Sequence, residues 1–259
     1  MSDSASKLAL RISRRLSQHA FRNLLPLEAE AGVVSFTFDD APASACEAGA
    51  HALEHNGVRG TFYVAGGLTG GMEEGKPCHS REHLQTLLAN GHELGCHSYS
   101  HIRCDNLSAD ALEAELDRNA AFLAELGVDI GALNFAYPFG AYAYNAKRIC
   151  SRRFRSSRVT GGGTHEHVAD LNALKTHRLY DLPVDAENYE TLLQRTARNK
   201  GWLIVNTHDV ESPPSRFGYT PDRLEHAIAA ALAAGCKVLP VNAAIDYWES
   251  NSKLNSRQR

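Results

Sequence analysis

The chain has 259 residues, 43% of them hydrophobic, and a formal net charge of -3. That length suits one large α/β domain or two small ones and is enough to bury a substantial core. The charge balance argues against a nucleic-acid partner, which needs a surplus of cations to neutralise phosphates. The six cysteines contain no CxxC pair, which excludes a zinc ribbon. No apolar run is long enough to span a bilayer, and the first residues lack the apolar stretch of a secretory leader. The expected setting is therefore a reducing cytoplasm with the cysteines as free thiols, extending to association with the inner face of the membrane.

From Ser6 to Leu25, the residues Leu8, Ile12, Leu16 and Ala20 recur at helical spacing among Lys7, Arg11, Arg14, Arg15 and Arg22. This predicts a basic amphipathic helix within an N-terminal region, residues 1–30. Such a helix either packs on the body of the protein with its arginines in water, or makes peripheral contact with an anionic membrane through residues 6–25. A strand is expected at Val33–Phe38, a helix over 44–55 and a strand over 60–64. A loop with Gly66, Gly67, Gly70 and Gly71 then runs to Cys78, as a lid or a surface excursion. A helix over 82–90 leads to a strand over 93–97. A long helix from Ala109 to Leu126 follows, capped by Ser108 and stopped by Gly127.

The next strand is expected at 135–137, ahead of a helix over 145–153. Short strands near 156–159 and 176–180 precede a helix over 187–199 and a strand over 202–207. A helix over 221–234 carries Pro221 in its first turn, and a last strand covers 237–241. Gly161-Gly162-Gly163 before Thr164-His165-Glu166-His167 reads as a mobile loop lining the cleft rather than a second metal site. Arg155 and Arg158 are candidates for contact with an anionic substrate group. The Ser-, Asn- and Arg-rich tail, residues 251–259, is expected to be disordered. Strand–helix alternation without a break in composition means a parallel sheet, open or closed, in one domain over residues 31–250. Its polar signature residues fall at the carboxyl ends of strands, where such sheets place their sites.

Two groups carry the chemistry. His97 and His101 are four residues apart, which on a helical turn puts both rings on one face within reach of a single ion. Asp39-Asp40 ends an apolar strand, and such a pair can divide its duties, one carboxylate binding metal while the other handles protons. Two histidines and a carboxylate leave coordination positions open, as a catalytic site does. The residues point to metal-assisted hydrolysis. No GxGxxG or Walker-type loop is present, so no nucleotide cofactor is implied.

With these residues in place, the chain resembles a polysaccharide deacetylase of the NodB-homology type, carbohydrate esterase family four, from about Val33 to Ile245. Thr37-Phe38-Asp39-Asp40 matches the family's first motif, and Gly91-His92-Glu93-Leu94-Gly95-Cys96 leads into His97-Ser98-Tyr99-Ser100-His101, its second. Phe135-Ala136-Tyr137-Pro138-Phe139-Gly140 resembles the third, and Asn206-Thr207-His208-Asp209-Val210 the fifth. The resemblance implies a distorted (β/α) barrel with seven or so parallel strands. It implies hydrolysis of the N-acetyl group of an amino sugar, with water activated by a divalent ion. The ion would be held by Asp40, His97 and His101. Zinc is the default for these donors, and cobalt, nickel, manganese and iron are compatible with them.

On the same resemblance Asp39 is the general base and His208 the acid that protonates the leaving amine. Tyr137, Pro138 and Phe139 flank the substrate, with the Phe139 N–H facing the oxyanion. The chain also departs from the family. Ala136 stands where an Arg usually pairs with the base, and Arg178 is the candidate to reach that carboxylate instead. The fourth motif has no clean match, so Asp181 is the candidate to orient His208. Asp209 reads as a loop brace. Asn206 replaces a common Leu, so the usual apolar cup for an acetyl methyl is altered. The expected substrate is an N-acetylated sugar in a nucleotide- or lipid-linked precursor. The alternatives are an O-acetyl esterase or non-sugar amidase on the same barrel, and a non-catalytic carbohydrate-binding barrel.

Overall fold

The computed structural model describes residues 11–182 and 187–257. Seven parallel strands form a ring: β1 (Val33–Phe38), β2 (Thr61–Val64), β3 (Glu93–Cys96), β4 (Asn134–Ala136), β5 (Ser156–Gly162), β6 (Leu174–Arg178) and β7 (Trp202–Thr207). Neighbours in the ring are neighbours in sequence. β7 pairs with β1 over its whole length, from Trp202 opposite Val33 to Thr207 opposite Phe38, and so closes the barrel. Both strands are buried at every position, which is why each reads as a nearly unbroken apolar run.

An eighth strand, β8 (Lys237–Val238), pairs with Val33 and Val34 at the start of β1, whereas β2 pairs with Thr37 and Phe38 at its end. β8 is thus a short wedge beside β1, and the regular ring has seven members. The Val241 N–H donates to Thr61 Oγ1 at 3.0 Å, tying the wedge to β2. The helices expected between the strands form close to their expected limits. In the longest of these, Ala109–Glu125, Ser108 Oγ accepts from the Ala111 N–H at 3.2 Å, the cap its sequence suggests.

The two ends of the chain differ from expectation. Residues 11–17 are helical, but the chain then turns and Leu24–Pro26 pairs antiparallel with Val168–Asp170. The helix therefore stops well short of Leu25. Ser17 Oγ donates to the Arg14 carbonyl at 2.7 Å, the local side-chain bond with which serine competes against helix continuation. Residues 1–10 lie outside the described residues. Ile12 and Leu16 stand exposed on this helix, and Arg14 forms an ion pair with Asp105.

At the other end a helix, Val241–Arg257, runs through most of the segment whose composition suggested a disordered tail; residues 258–259 lie outside the description. Its Val241, Ala244, Ile245 and Trp248 pack with Val33, Trp202 and Ile204, closing the amino-terminal end of the barrel with apolar contacts. That burial supplies what the polar composition hides. All six cysteines are free and buried. No helix among the described residues is long and apolar enough to cross a membrane.

Candidate active site

The carboxyl-terminal tips of the strands surround a cavity of about 270 Å³ lined by Asp39, Asp40, His97, His101, Phe139, Arg178 and His208, among others. Asp39 extends the β1–β7 ladder by one step, its N–H donating to the Thr207 carbonyl at 2.9 Å. The chain then turns sharply: Asp40 and Ala41 have φ of 61° and 46°, in the left-handed region that non-glycine residues seldom occupy. A buried histidine absent from the sequence reading, His79, holds this turn. Its Nδ1 stands 3.1 Å from the Asp40 carbonyl and 3.2 Å from that of Ala41. Carbonyls only accept, so Nδ1 carries the proton. Nothing in the spacing of His79 marks it, because its partners are backbone atoms.

His97 and His101 do not share a helix face as their spacing suggested. They lie in an irregular segment after β3, with Ser98 and His101 at φ of 57° and 49°. The two rings nevertheless meet, 5.1 Å apart between centroids. His97 Nδ1 donates to the Ala136 carbonyl at 2.8 Å, and His101 Nδ1 donates to Glu73 Oε1 at 3.0 Å. In the neutral form of each ring, Nε2 is therefore the nitrogen without a proton. These atoms stand 3.6 Å and 3.3 Å from Asp40 Oδ1. That oxygen is buried and has no hydrogen-bond partner. Burial pushes the His97 imidazole down to about 3, so it is neutral. Burial pushes the Asp40 carboxyl up to about 7, His208 opposing and Asp39, Glu73 and Glu74 adding to the rise.

Asp40, His97 and His101 are the one group among the described residues whose donor atoms lie close enough to share an ion, all within 4.8 Å of one another. Tetrahedral ligands about 2.0–2.2 Å from a common ion stand roughly 3.3–3.6 Å apart. The two separations from Asp40 Oδ1 fit that geometry, and an unpartnered buried carboxylate oxygen is a donor such an ion would take up. The His165 cluster has no such geometry. Buried His165 accepts from the Lys175 N–H through Nε2 at 3.0 Å, and Glu166 pairs with Arg195. Neither lines the cavity.

Asp39 is held on both oxygens. Arg158 Nη2 donates to Oδ1, and Asn206 Nδ2 donates to Oδ2 at 3.3 Å. Burial raises the Asp39 carboxyl, but Arg158 and the neighbouring imidazoles outweigh it, so it is held below the usual carboxylate range. Arg158 is the group that stands in for the Arg missing at position 136. It is paired in register with Ala136, one strand along the barrel at the same height. Its guanidinium lies 4.7 Å over the Tyr63 ring. That ring in turn requires Gly95, where a Cβ would come within 2.6 Å of it. Arg158 is thus a buried partner of Asp39 rather than a substrate contact, and Arg155 pairs with Asp246 and Glu249. Arg178 lines the cavity, but Arg158 occupies the place proposed for it on Asp39.

Asn206 explains its own departure from Leu. Besides holding Asp39, its amide donates to Tyr180 Oη at 3.3 Å, and its Oδ1 accepts from Thr176 Oγ1 at 2.8 Å. His208 closes the cavity at the tip of β7, with Nε2 3.8 Å from Asp40 Oδ2 and its ring packed beside Tyr180 and Phe217. Its Nδ1 is buried without a partner. Asp181 does not supply one; its carboxylate accepts from Arg223 at 3.0 Å on the surface. Asp209 is a loop brace, accepting from the Ser215 N–H at 2.7 Å. Of the three residues after Ala136, Phe139 lines the cavity at φ 59°, while Tyr137 and Pro138 are buried beneath it.

Two carboxylates and three imidazoles at the carboxyl face of a closed parallel barrel place the site where barrel enzymes carry theirs. Residues 27–152, just under half of the chain, match the family model for polysaccharide deacetylase, and the chain resembles that family, of the NodB-homology type. It is 32% identical over 78 residues to a chitin deacetylase of Colletotrichum lindemuthianum, covering 30% of each chain. It is 27% identical over 183 residues to a chitin deacetylase of Arthroderma benhamiae, covering 69% of this chain and 44% of the other. The chain spans less than half the length of these curated relatives.

Among solved structures, a variant of the peptidoglycan deacetylase PdaC from Bacillus subtilis aligns with a TM-score of 0.57 at 17% identity, over 89% of this chain and 97% of that one. A family 4 acetyl xylan esterase from Clostridium thermocellum, in complex with cobalt, aligns at 0.55 and 19%, over 82% and 89%. A CE4 family pseudoenzyme from Bacillus anthracis aligns at 0.56 and 17%, over 85% and 67%. At these identities the likeness is one of fold.

Proposed function

We propose that the protein removes the acetyl group from the nitrogen of an amino sugar, in a nucleotide- or lipid-linked precursor of a polysaccharide. Asp40, His97 and His101 would hold a divalent ion, Zn²⁺ by default, which when bound polarises a carbonyl and makes water a better nucleophile at neutral pH. Asp39, kept anionic by Arg158 and Asn206, takes the proton of the attacking water. The Phe139 N–H, turned by its left-handed backbone, donates to the oxygen on which negative charge develops. Protonated His208, across the cavity, delivers a proton to the departing nitrogen, which leaves poorly as an anion. Tyr180 and Phe217 shield that transfer from bulk water.

The observation that carries this reading is the convergence of two imidazole Nε2 atoms on the unpartnered Asp40 oxygen, beside a doubly held carboxylate. The test is acetate release from N-acetylglucosamine oligomers and from nucleotide- and lipid-linked N-acetylhexosamines, by protein stripped with chelator and then reloaded with Zn²⁺. Loss on stripping, recovery on reloading and one free amine per acetate are expected. Activity indifferent to chelator would overturn the reading.

One observation favours O-acetyl ester hydrolysis as a second reading. His208 lacks a partner on Nδ1, and an alcohol depends less on its acid than an amine does. Release of acetate with an alcohol and no amine would select it; no acetate from either class would leave a carbohydrate-binding barrel. The exposed Ile12 and Leu16 beside Arg11 and Arg15 support contact with an anionic membrane. Cosedimentation with phosphatidylglycerol vesicles, lost in an Ile12→Ser/Leu16→Ser variant, tests that contact.

A further inference from the structure

We infer that Glu73 is a positioning residue of the ion site, and that the hairpin carrying it is part of that site. The inference rests on the ion-binding reading above. The two imidazoles are not secured in the same way. His97 directly follows β3, is almost wholly buried and donates to a backbone carbonyl of β4. His101 sits four residues further on, in left-handed backbone outside any regular element, and its Nδ1 donates to the Glu73 side chain.

The Glu73–His101 bond decides which nitrogen can meet a cation. A carboxylate only accepts, so the bond keeps the proton on Nδ1 and leaves the Nε2 lone pair facing Asp40 Oδ1 at 3.3 Å. Without Glu73 the alternative tautomer becomes favourable, because a proton on Nε2 can bond to the otherwise unpartnered Asp40 oxygen. That proton would occupy the space between two ligand atoms and compete with the ion. Glu73 therefore acts against a specific wrong state, besides orienting the ring.

Glu73 belongs to a small antiparallel hairpin in which Met72 pairs with Pro77 and Glu73 with Lys76. Lys76 bonds to Glu211 and lies 3.8 Å from Asp209, both just beyond His208. The Gly-rich loop that the sequence offered as a lid or an excursion is thus strapped across the cavity, from the His101 side to the His208 side. Its charged residues have separate tasks: Glu73 on the imidazole, Lys76 on the opposite loop.

The test is Zn²⁺ affinity, measured on the full chain by competition with a chromophoric chelator. Glu73→Ala should bind Zn²⁺ about 10–100-fold more weakly than the unaltered protein, the range for a carboxylate behind a ligating histidine. Glu73→Gln keeps an acceptor and should recover part of the loss. Glu74→Ala removes the same charge from the same hairpin and should change affinity by less than about threefold, well below that range. Imidazole ¹⁵N spectra of the metal-free proteins should show the His101 proton moving from Nδ1 to Nε2 in Glu73→Ala, with an unchanged melting temperature. Affinity in Glu73→Ala within about threefold of the unaltered protein, or an equal fall in Glu74→Ala, would overturn the inference. Failure of the unaltered protein to bind Zn²⁺ would reject the ion site itself, and this inference with it.

Discussion

The two sides of the cavity are built to different standards. On the side of Asp39, Asp40, His97 and His101, each functional group has a second contact that fixes its state: Arg158 and Asn206 on Asp39, a β4 carbonyl on His97, Glu73 on His101, His79 on the Asp40 turn. On the other side His208 packs against Tyr180 and Phe217, and its inner nitrogen has no partner. Ligand geometry and the charge of a base tolerate little error, because an unpaired buried carboxylate is costly and an ion needs its donors aligned. His208, the proposed acid, has a side chain held here by packing. On the proposed reading the difference teaches that the half that would generate the nucleophile is preorganised, and that substrate would have a larger part in completing the half that carries the acid.

The largest effects should come from one residue on each side, with the two sides parting only on the choice of substrate. Asp39→Asn removes the proton acceptor while keeping its shape, and should lower acetate release by about 10²–10⁴-fold, the range for one general base. His208→Gln should reach a comparable loss on an amide but a smaller one on an ester, whose leaving group depends less on the acid. Equal losses on both substrates would show the acid side to be as tightly specified as the base side.

Arg158→Ala comes next and acts on folding as well as activity. Breaking one partner of a buried pair costs about 3–5 kcal/mol, since Asp39 is left uncompensated. Because Ala136 and Arg158 are register partners, the double change Ala136→Arg/Arg158→Ala moves the guanidinium back to the strand from which the family usually supplies it. The double variant should regain stability and activity relative to the single one, by urea denaturation and acetate release. No recovery would mean that the Tyr63 platform, and not register alone, holds the guanidinium.

A smaller change is expected from Asn206→Leu, which introduces the residue common elsewhere in the family. Leu cannot donate to Asp39 or Tyr180, so Asp39 Oδ2 loses its buried partner, while the Thr176 hydroxyl keeps only the Val159 carbonyl at 3.2 Å. The stability loss should be about 1–3 kcal/mol, that of an unsatisfied buried polar group, with a modest fall in rate. A gain in rate would show that the apolar cup matters more than bracing the base.

What the sequence made legible follows the same divide. Asp39-Asp40 and the His97–His101 pair are local signals, set by strand ends and short spacing, and they mark their own cavity. The alternation of parallel strands with helices was likewise readable, although the strand pattern left the sheet open or closed, and the ring of about seven strands was an implication of the resemblance. Arg158, His79 and Glu73 were not readable as supports. Their partners lie 119, 39 and 28 positions away, and their places depend on strand register, a backbone turn and a hairpin fold. The helix Val241–Arg257 was hidden for a related reason: its early apolar residues are satisfied by Val33 and Trp202, on strands far away in sequence. Asp181 erred the other way. Its position just after β6 gave it the right address but said nothing of where its side chain turns.

Asp181 also provides the smallest expected effect. Its carboxylate and the Arg223 guanidinium are each nearly half exposed, at 45% and 46%, so solvent screens the pair. Exposed pairs of this kind contribute about 0–1 kcal/mol. Asp181→Asn should therefore leave the melting temperature nearly unchanged and acetate release within twofold of the unaltered protein, about the scatter expected of a surface pair. A carboxylate that fixed the His208 tautomer would behave otherwise, since its loss would flip the ring's proton and displace the alkaline limb of the pH–rate profile. An unmoved profile in Asp181→Asn, beside a profile stripped of that limb in His208→Gln, would establish that this acid works without a carboxylate behind it. A shifted profile would mean that Asp181 reaches His208 once substrate is bound, and that the looseness of this side belongs to the free protein alone.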